Sequence, residues 1–339
     1  MKFSTVLKAG ALSAIQLAAA LNIILTNDDA YTSSNIRATY QALKDEGHNV
    51  FIVAPAENQS GKGGTFSFSS SPKLQKSSEF GDLPAGSPAW GYEESDNHVW
   101  YFNGTPAASV AFGLDYVIPN YFSNINIDLV VSGPNEGSNA GPGLFTLSGT
   151  IGATYYAVGR GIPAAAFSAD YSNHSYYKDV NGFLPNKDDD SFYSNIYAKT
   201  VVAKLVDALA TAAGDNDRLL PLGVGLNINI PYVGAPAKET YNVDCTAPPL
   251  VYTRITGGAQ SYTVKFNETS GVFVWSYLDS QKAPGLNVAY NGPTDLAGET
   301  DVSNAAGCRV AVSAYSVDYT APAPVNDEVH NLIQAALKR

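Results

Sequence analysis

The chain has 339 residues, of which 45% are hydrophobic and 15% charged, enough to bury the core of one large domain or two ordinary ones. That composition excludes a disordered chain. Its 31 acidic residues outnumber 20 basic ones, for a net charge of −11, which argues against a nucleic-acid duplex as partner because backbone phosphates need a basic stripe.

The chain opens MKFSTVLKAGALSAIQLAAALN. Lys2 and Lys8 make a short positive region, an apolar run follows, and LAAA supplies small residues where a signal peptidase cuts. This pattern predicts a signal peptide over residues 1–20, cleaved near Ala20, and a secreted protein. Only about a dozen apolar residues follow Lys8, too few to span a membrane. The C-terminal NLIQAALKR reads as an amphipathic helix ending in charge, so no membrane anchor is expected. Cys245 and Cys308 are an even number suited to one disulfide in an oxidising compartment, with two separate buried thiols as the alternative. Sequons stand at Asn58, Asn103, Asn173 and Asn267. Asn173 and Asn267 are the better glycan candidates, which would make the chain a glycoprotein.

The mature first half alternates strand and helix. NIILT is a buried-looking strand, SSNIRATYQALKDEG places Ile36, Tyr40 and Leu43 at helical spacing with Gly47 as a stop, and HNVFIVAP is a second strand. Strand, helix, strand implies a parallel sheet with a right-handed crossover. Residues 60–99 read as a long polar excursion containing a hairpin. WYFNGTPAASV predicts a strand, a turn and a helix with Pro106 near its start. IDLVVSGPNEGSNAGPG is a strand running into a Gly/Asn-rich loop. SGTIGATYYAVGRG is a helix, IPAAAFSA a strand, YAKTVVAKLVDALATAA an amphipathic helix, and GVGLNINIP a strand. From about residue 240 the pattern turns β-rich before a short closing helix. The fold class expected is α/β, a Rossmann-like parallel sheet core over residues 21–240, with residues 241–339 as a β-rich C-terminal extension of the same domain.

Three strand-end loops offer oxygen donors: Asp28 and Asp29 in the first, Ser60 in the second, Asn135 and Asn139 in the third. Adjacent carboxylates repel and are costly to bury without a counter-charge. Together these hard donors suit one divalent cation, Mg²⁺, Mn²⁺ or Ca²⁺. Ser148, Gly149 and Thr150 lead into a helix whose start favours an anion. A cation beside an anion-binding helix start is what phosphoester hydrolysis needs. His48 reads as a surface residue between helix and strand, and His98, His174 and His330 fall in no shared motif. NKDDDS, residues 186–191, lacks the full ligand pattern of a calcium loop.

The motifs ILTNDD, GHNVFIVAPAENQSG, GTPAASV, VVSGPNEGSNAG, SGTIGA, GIPAAAFS and LNINIP resemble, in this order and spacing, the SurE family of metal-dependent phosphatases and 5′-nucleotidases. The resemblance is close over residues 22–172 and looser beyond, and it points to secreted fungal members that look like acid phosphatases. It implies that Asp28, Asp29, Ser60 and Asn135 hold the metal. It implies that Asn139, Ser148, Gly149 and Thr150 line the phosphate site, with Asp28, Asp29, Asn139, Ser148 and Thr150 as the catalytic set. It also implies that the C-terminal extension serves oligomer contacts, in a homodimer or homotetramer. Four positions depart from the family pattern: Ala30 where Gly is usual, Pro134 for an aliphatic residue, Leu147 for Tyr, and Tyr156 for an acidic residue.

The reading is a secreted phosphomonoesterase hydrolysing a small phosphate monoester with a divalent cation. Two rivals stand beside it: a metal- and phosphate-binding protein of the same fold with little catalysis, and a calcium-dependent nucleosidase.

Overall fold

The computed structural model describes residues 20–123, 125–170, 173–179, 190–214, 216–278, 283–290, 292–305 and 307–337. The signal peptide predicted over residues 1–20 falls outside them except for Ala20, and so does most of NKDDDS. Chain order runs β1 (Asn22–Thr26), α1 (Ser34–Asp45), β2 (Asn49–Pro55), β3 (Trp90–Glu93), β4 (Asp96–Phe102) and α2 (Pro106–Phe112). A π-type turn leads on to α3 (Ile118–Tyr121), then β5 (Leu129–Glu136), α4 (Pro142–Leu147), α5 (Gly149–Gly159) and β6 (Ala164–Ala169). Next come α6 (Asp190–Ile196), α7 (Lys204–Ala213), β7 (Val224–Ile230), α8 (Gly234–Tyr241), β8 (Leu250–Thr253), β9 (Ser261–Asn267) and β10 (Val272–Leu278). The chain closes with α9 (Glu299–Asn304), β11 (Val310–Ser316) and α10 (Ala323–Leu337).

Among the described residues nine strands form one sheet in the order β3-β4-β2-β1-β5-β6-β7-β11-β8. From β4 to β7 every pairing is parallel. β3 and β11 join antiparallel, and β8 runs parallel to β11. Two strands of the C-terminal extension are therefore hydrogen-bonded into the main sheet, while β9 and β10 form a separate hairpin. The strand period of two decides the layers: Ile23 and Leu25 of β1 face a core shared with Ile36 and Leu43 of α1 and Val206 of α7. Ile24 faces the opposite core, with Val110 of α2 and Ala153 and Ala157 of α5. Helices thus cover both faces, as a parallel sheet requires.

The sequence expectation of a Rossmann-like α/β sheet holds. The excursion after β2 is mostly irregular, held by isolated bridges Phe68 to Gly104 and Lys73 to Pro88, and its hairpin is β3–β4. His48 is a correction. It is buried, its Nδ1 accepting from the Leu21 N–H at 3.2 Å and its Nε2 lying 3.0 Å from Asp207 Oδ1. A tertiary partner in α7, remote in sequence, covers the ring. Cys245 and Cys308 are joined as a disulfide, tying the segment after α8 to the start of β11. Among the described residues no helix is long and apolar enough to cross a membrane.

Candidate functional site

Successive strand order reverses at β1, where β2 leaves to one side and β5 lies on the other. A crevice opens at the carboxyl ends of strands at such a switch point. Asp28 and Asp29 lie just beyond the end of β1, the loop of Asn58, Gln59 and Ser60 follows β2, and Asn135 is the next-to-last residue of β5. The Gln59 N–H donates to the Asp28 carbonyl at 2.6 Å, which pins the second loop to the first. α5 begins against both: a Cβ on Gly149 would stand 3.0 Å from Asp28 Oδ2 and 3.2 Å from the Gln59 carbonyl, so any larger residue would press on both loops.

Both aspartates are almost fully buried. Burial pushes the Asp28 carboxyl up, opposed by hydrogen bonds from the Thr150 hydroxyl and from the backbone at Thr150 and Gly149. Burial pushes Asp29 well above the usual carboxylate range, and the charges of Asp28, Glu136 and Glu79 push it further. Among the described residues no lysine, arginine or histidine forms an ion pair with either. Two buried carboxylates of one sign without a protein counter-charge, beside amide and hydroxyl oxygens, fit a hard divalent cation. Among the described residues no cluster of three or more acidic, histidine or cysteine side chains could hold a metal, so a cation beside the two aspartates would need amide or hydroxyl oxygens as well. The Asn135 amide nitrogen donates to the Gly137 carbonyl at 2.7 Å. Ser60 is exposed on its loop, its N–H bonded to Asn58 Oδ1 at 2.9 Å.

The residues expected at the phosphate site divide. The Ser148 hydroxyl caps α5 by accepting from the Ile151 N–H at 3.3 Å. The Thr150 hydroxyl is fully buried and donates to Asp28 Oδ1 at 2.6 Å. In this arrangement Thr150 serves the carboxylate pair rather than standing free for a phosphate oxygen. Asn139 sits on the loop after β5, its side-chain amide donating to Ser168 Oγ at 2.8 Å and its N–H to Asn229 Oδ1 at 2.8 Å.

Four residues at the rim, His174, Glu136, Glu79 and Phe80, were given no part in the site by the sequence reading. His174 Nδ1 lies 2.7 Å from Glu136 Oε2, and its Nε2 lies 3.2 Å from Glu79 Oε1. Phe80 stacks on the imidazole with ring centres 4.7 Å apart. The Glu136 N–H donates to Asp29 Oδ2 at 3.2 Å, so this acidic pair adjoins the buried aspartates. The hydrogen bond to Glu136 raises the His174 pKa above the usual imidazole value against the effect of burial. Glu136 stands beside Asn135, and that adjacency was the one sequence signal available. A surface hollow lined by Leu114, Ile118, Phe122 and Ile162 lies at the amino ends of the strands and carries no such chemistry.

A family model described as "Survival protein SurE" matches residues 23–254. An acid phosphatase of Yarrowia lipolytica is 45% identical over 313 residues, spanning 91% of this chain and 83% of its own. A 5'-nucleotidase SurE of Methanocella arvoryzae is 32% identical over 236 residues, 69% of this chain and 71% of its own. The crystal structure of the SurE protein from Aquifex aeolicus superposes with a TM-score of 0.58 at 23% identity, covering 92% of this chain and 99% of that one, a likeness of fold.

Proposed function

The chain belongs to the SurE family, and from that premise we propose that it is a secreted phosphomonoesterase, acid phosphatase- or 5′-nucleotidase-like, that works with one divalent cation. The observation that carries this reading is the buried Asp28–Asp29 pair, without a protein counter-charge, facing the start of α5 at the sheet's switch point. Asp28, Asp29, Asn135 and Ser60 would hold the cation. When bound, a divalent cation polarises a phosphoryl group and makes water more acidic.

The chain's own residues do the rest. Thr150, donating to Asp28, fixes the carboxylate's rotamer and favours its charged form. Ser148 holds the first turn of α5 in place. Asn139 lies on a loop held by Ser168 and Asn229, and the second hydrogen of its side-chain amide, beyond the one given to Ser168, would serve a phosphoryl oxygen. His174, Glu136 and Glu79 form the rim on the Asp29 side. Secretion is supported by the disulfide, which suits an oxidising compartment, and by the name of the Yarrowia relative.

The β9–β10 hairpin exposes Val264, Phe266, Phe273, Trp275 and Tyr277. A lone hairpin is marginal in water, which supports a second copy of the chain as its cover and a homodimer or homotetramer in solution. Light scattering on the purified protein tests that. The activity is tested with a nucleoside monophosphate and a chromogenic phosphate ester, before and after chelation and return of Mg²⁺, Mn²⁺ or Ca²⁺. Phosphate release that chelation stops and a cation restores is expected. Release of free base instead identifies a nucleosidase, and cation binding without turnover identifies a binding protein.

A further inference from the structure

Glu299, in α9 of the C-terminal extension, is wholly buried, and no lysine or arginine pairs with it among the described residues. Burial pushes its carboxyl up to about 7. Keeping an acid in such a place is costly, and a hydrophobic residue would fill the space for structure alone. What it touches is specific. Its Oε1 accepts the Gly141 N–H at 2.6 Å. The Asn227 amide donates to Oε1 at 3.2 Å and to Oε2 at 3.1 Å, and also to the Asn139 carbonyl at 3.2 Å.

Glu299 therefore reaches the loop that carries Asn139 at two points, directly at Gly141 and through Asn227 at Asn139 itself. Asn229 holds the same loop from β7, accepting from the Asn139 N–H and, at 3.2 Å, from the Ser138 hydroxyl. Ser168 of β6 takes the Asn139 side chain. Gly141 has a φ of +87°, and a Cβ there would stand 2.8 Å from Thr300 Oγ1, so the loop lies hard against α9. The position of α9 is set in turn by the Glu299 N–H bonded to the Arg254 carbonyl at 2.8 Å.

We propose that Glu299 is a positioning residue for the phosphate site, through which the C-terminal extension fixes the 137–141 loop and so aims Asn139. The proposal rests on the phosphatase reading for its kinetics but not for its structural arm. Replacing Glu299 by Gln keeps an oxygen where Oε1 accepts both Gly141 and Asn227 and loses only the bond from Asn227 to Oε2, whereas Ala loses all three. A misplacement of about 1 Å in a catalytic loop costs on the order of 100-fold in rate.

The test uses the full chain with Glu299→Ala and Glu299→Gln. It measures kcat and KM on a phosphate ester, inhibition by orthovanadate, and amide exchange of residues 137–141. Glu299→Ala is expected to lower kcat by about 10- to 100-fold, to weaken vanadate inhibition and to speed exchange in the loop, with Glu299→Gln lying between Glu299→Ala and wild type in all three. Unchanged kcat and loop exchange in Glu299→Ala overturn the proposal. So does a lowered melting temperature with unchanged kinetics, which marks a structural residue. Should Glu299→Ala not fold, Asn227→Ala carries the same expectation, and wild-type kinetics and exchange in that variant overturn it equally. If the wild type releases no phosphate, the phosphatase reading falls while loop exchange still decides the role of Glu299.

Discussion

Thr150→Val separates two roles that look alike in sequence. At the start of α5 a hydroxyl can serve a bound phosphate or a neighbouring carboxylate. The structure pairs Thr150 Oγ1 with Asp28 Oδ1 at 2.6 Å, both groups buried. Val keeps the branched shape but removes the donor. Its methyl group also needs about 3.5 Å from that oxygen, so the carboxylate must shift. Losing a hydrogen bond to a charged group costs about 1.5–3 kcal/mol, roughly 10- to 150-fold in an equilibrium constant. The loss falls on cation affinity, because Asp28 without its donor holds a proton more readily and the cation must displace it. Calorimetric titration of Mn²⁺ into chelator-treated protein should show affinity reduced by that factor, and phosphate release at low cation should fall in parallel and recover as the cation is raised. Thr150→Ser, which keeps the hydroxyl, should behave nearly as wild type. Unchanged cation affinity with lost turnover would refute this reasoning and return Thr150 to the phosphate.

Asp29→Asn should abolish turnover without destabilising the cation-free protein. The Asp29 pKa is raised by burial and by neighbouring acids, so the folded state loses stability as pH rises through that raised value, and Asn cannot ionise. Melting in chelator at pH 7 should find the variant at least as stable as wild type; a clear drop would sink the point. For His174 the raised pKa has the opposite chemical origin, a carboxylate partner. The stability it adds is complete below the unfolded value, near 6.5, and is lost as pH rises through the folded one. Urea unfolding of His174→Gln and wild type should therefore differ more at about pH 5 than at about pH 9, and an equal gap at both would refute the pairing. Reduction of Cys245–Cys308, whose partners are 63 positions apart, should cost up to about 4 kcal/mol on the chain-entropy account; a reduced protein as stable as the oxidised one would contradict it.

The frame of the site was legible because it is local. NIILT and HNVFIVAP announce strands by unbroken apolar runs, the helix between them by its spacing, and Asp28, Asp29 and Asn135 by their places at strand ends. What could not be read is partner choice across the chain. Thr150 meets Asp28 from 122 positions away, His174 meets Glu136 from 38, and Gly141 meets Glu299 from 158. Each pairing depends on which strands become neighbours, and no periodicity encodes that. His48 shows the same limit from the other side: a histidine between helix and strand looks solvent-exposed until α7 covers it. The residues of GETDV, overlooked in the β-rich extension, carry Glu299 into the polar network beneath Asn139.

At Ala30, where the SurE-like pattern has glycine, the turn beside the two aspartates is held by the backbone and by other side chains. The Ala30 φ of +91° lies in the left-handed region, where a side chain costs about 1–2 kcal/mol. Burial offsets part of this: the Ala30 methyl group is completely buried, which is worth about 0.8 kcal/mol. At positive φ the usual entropic advantage of alanine over glycine does not prevail, so a deficit of up to about 1 kcal/mol remains at this turn. The turn itself is held by bonds that do not involve the side chain of residue 30: the Asn27 amide and the Ser33 N–H both donate to the Ala30 carbonyl, at 2.9 Å and 3.1 Å. The placement of Asp28 and Asp29 is thus set by Asn27, Gln59, Thr150 and Glu136 rather than by the side chain of the residue that follows them.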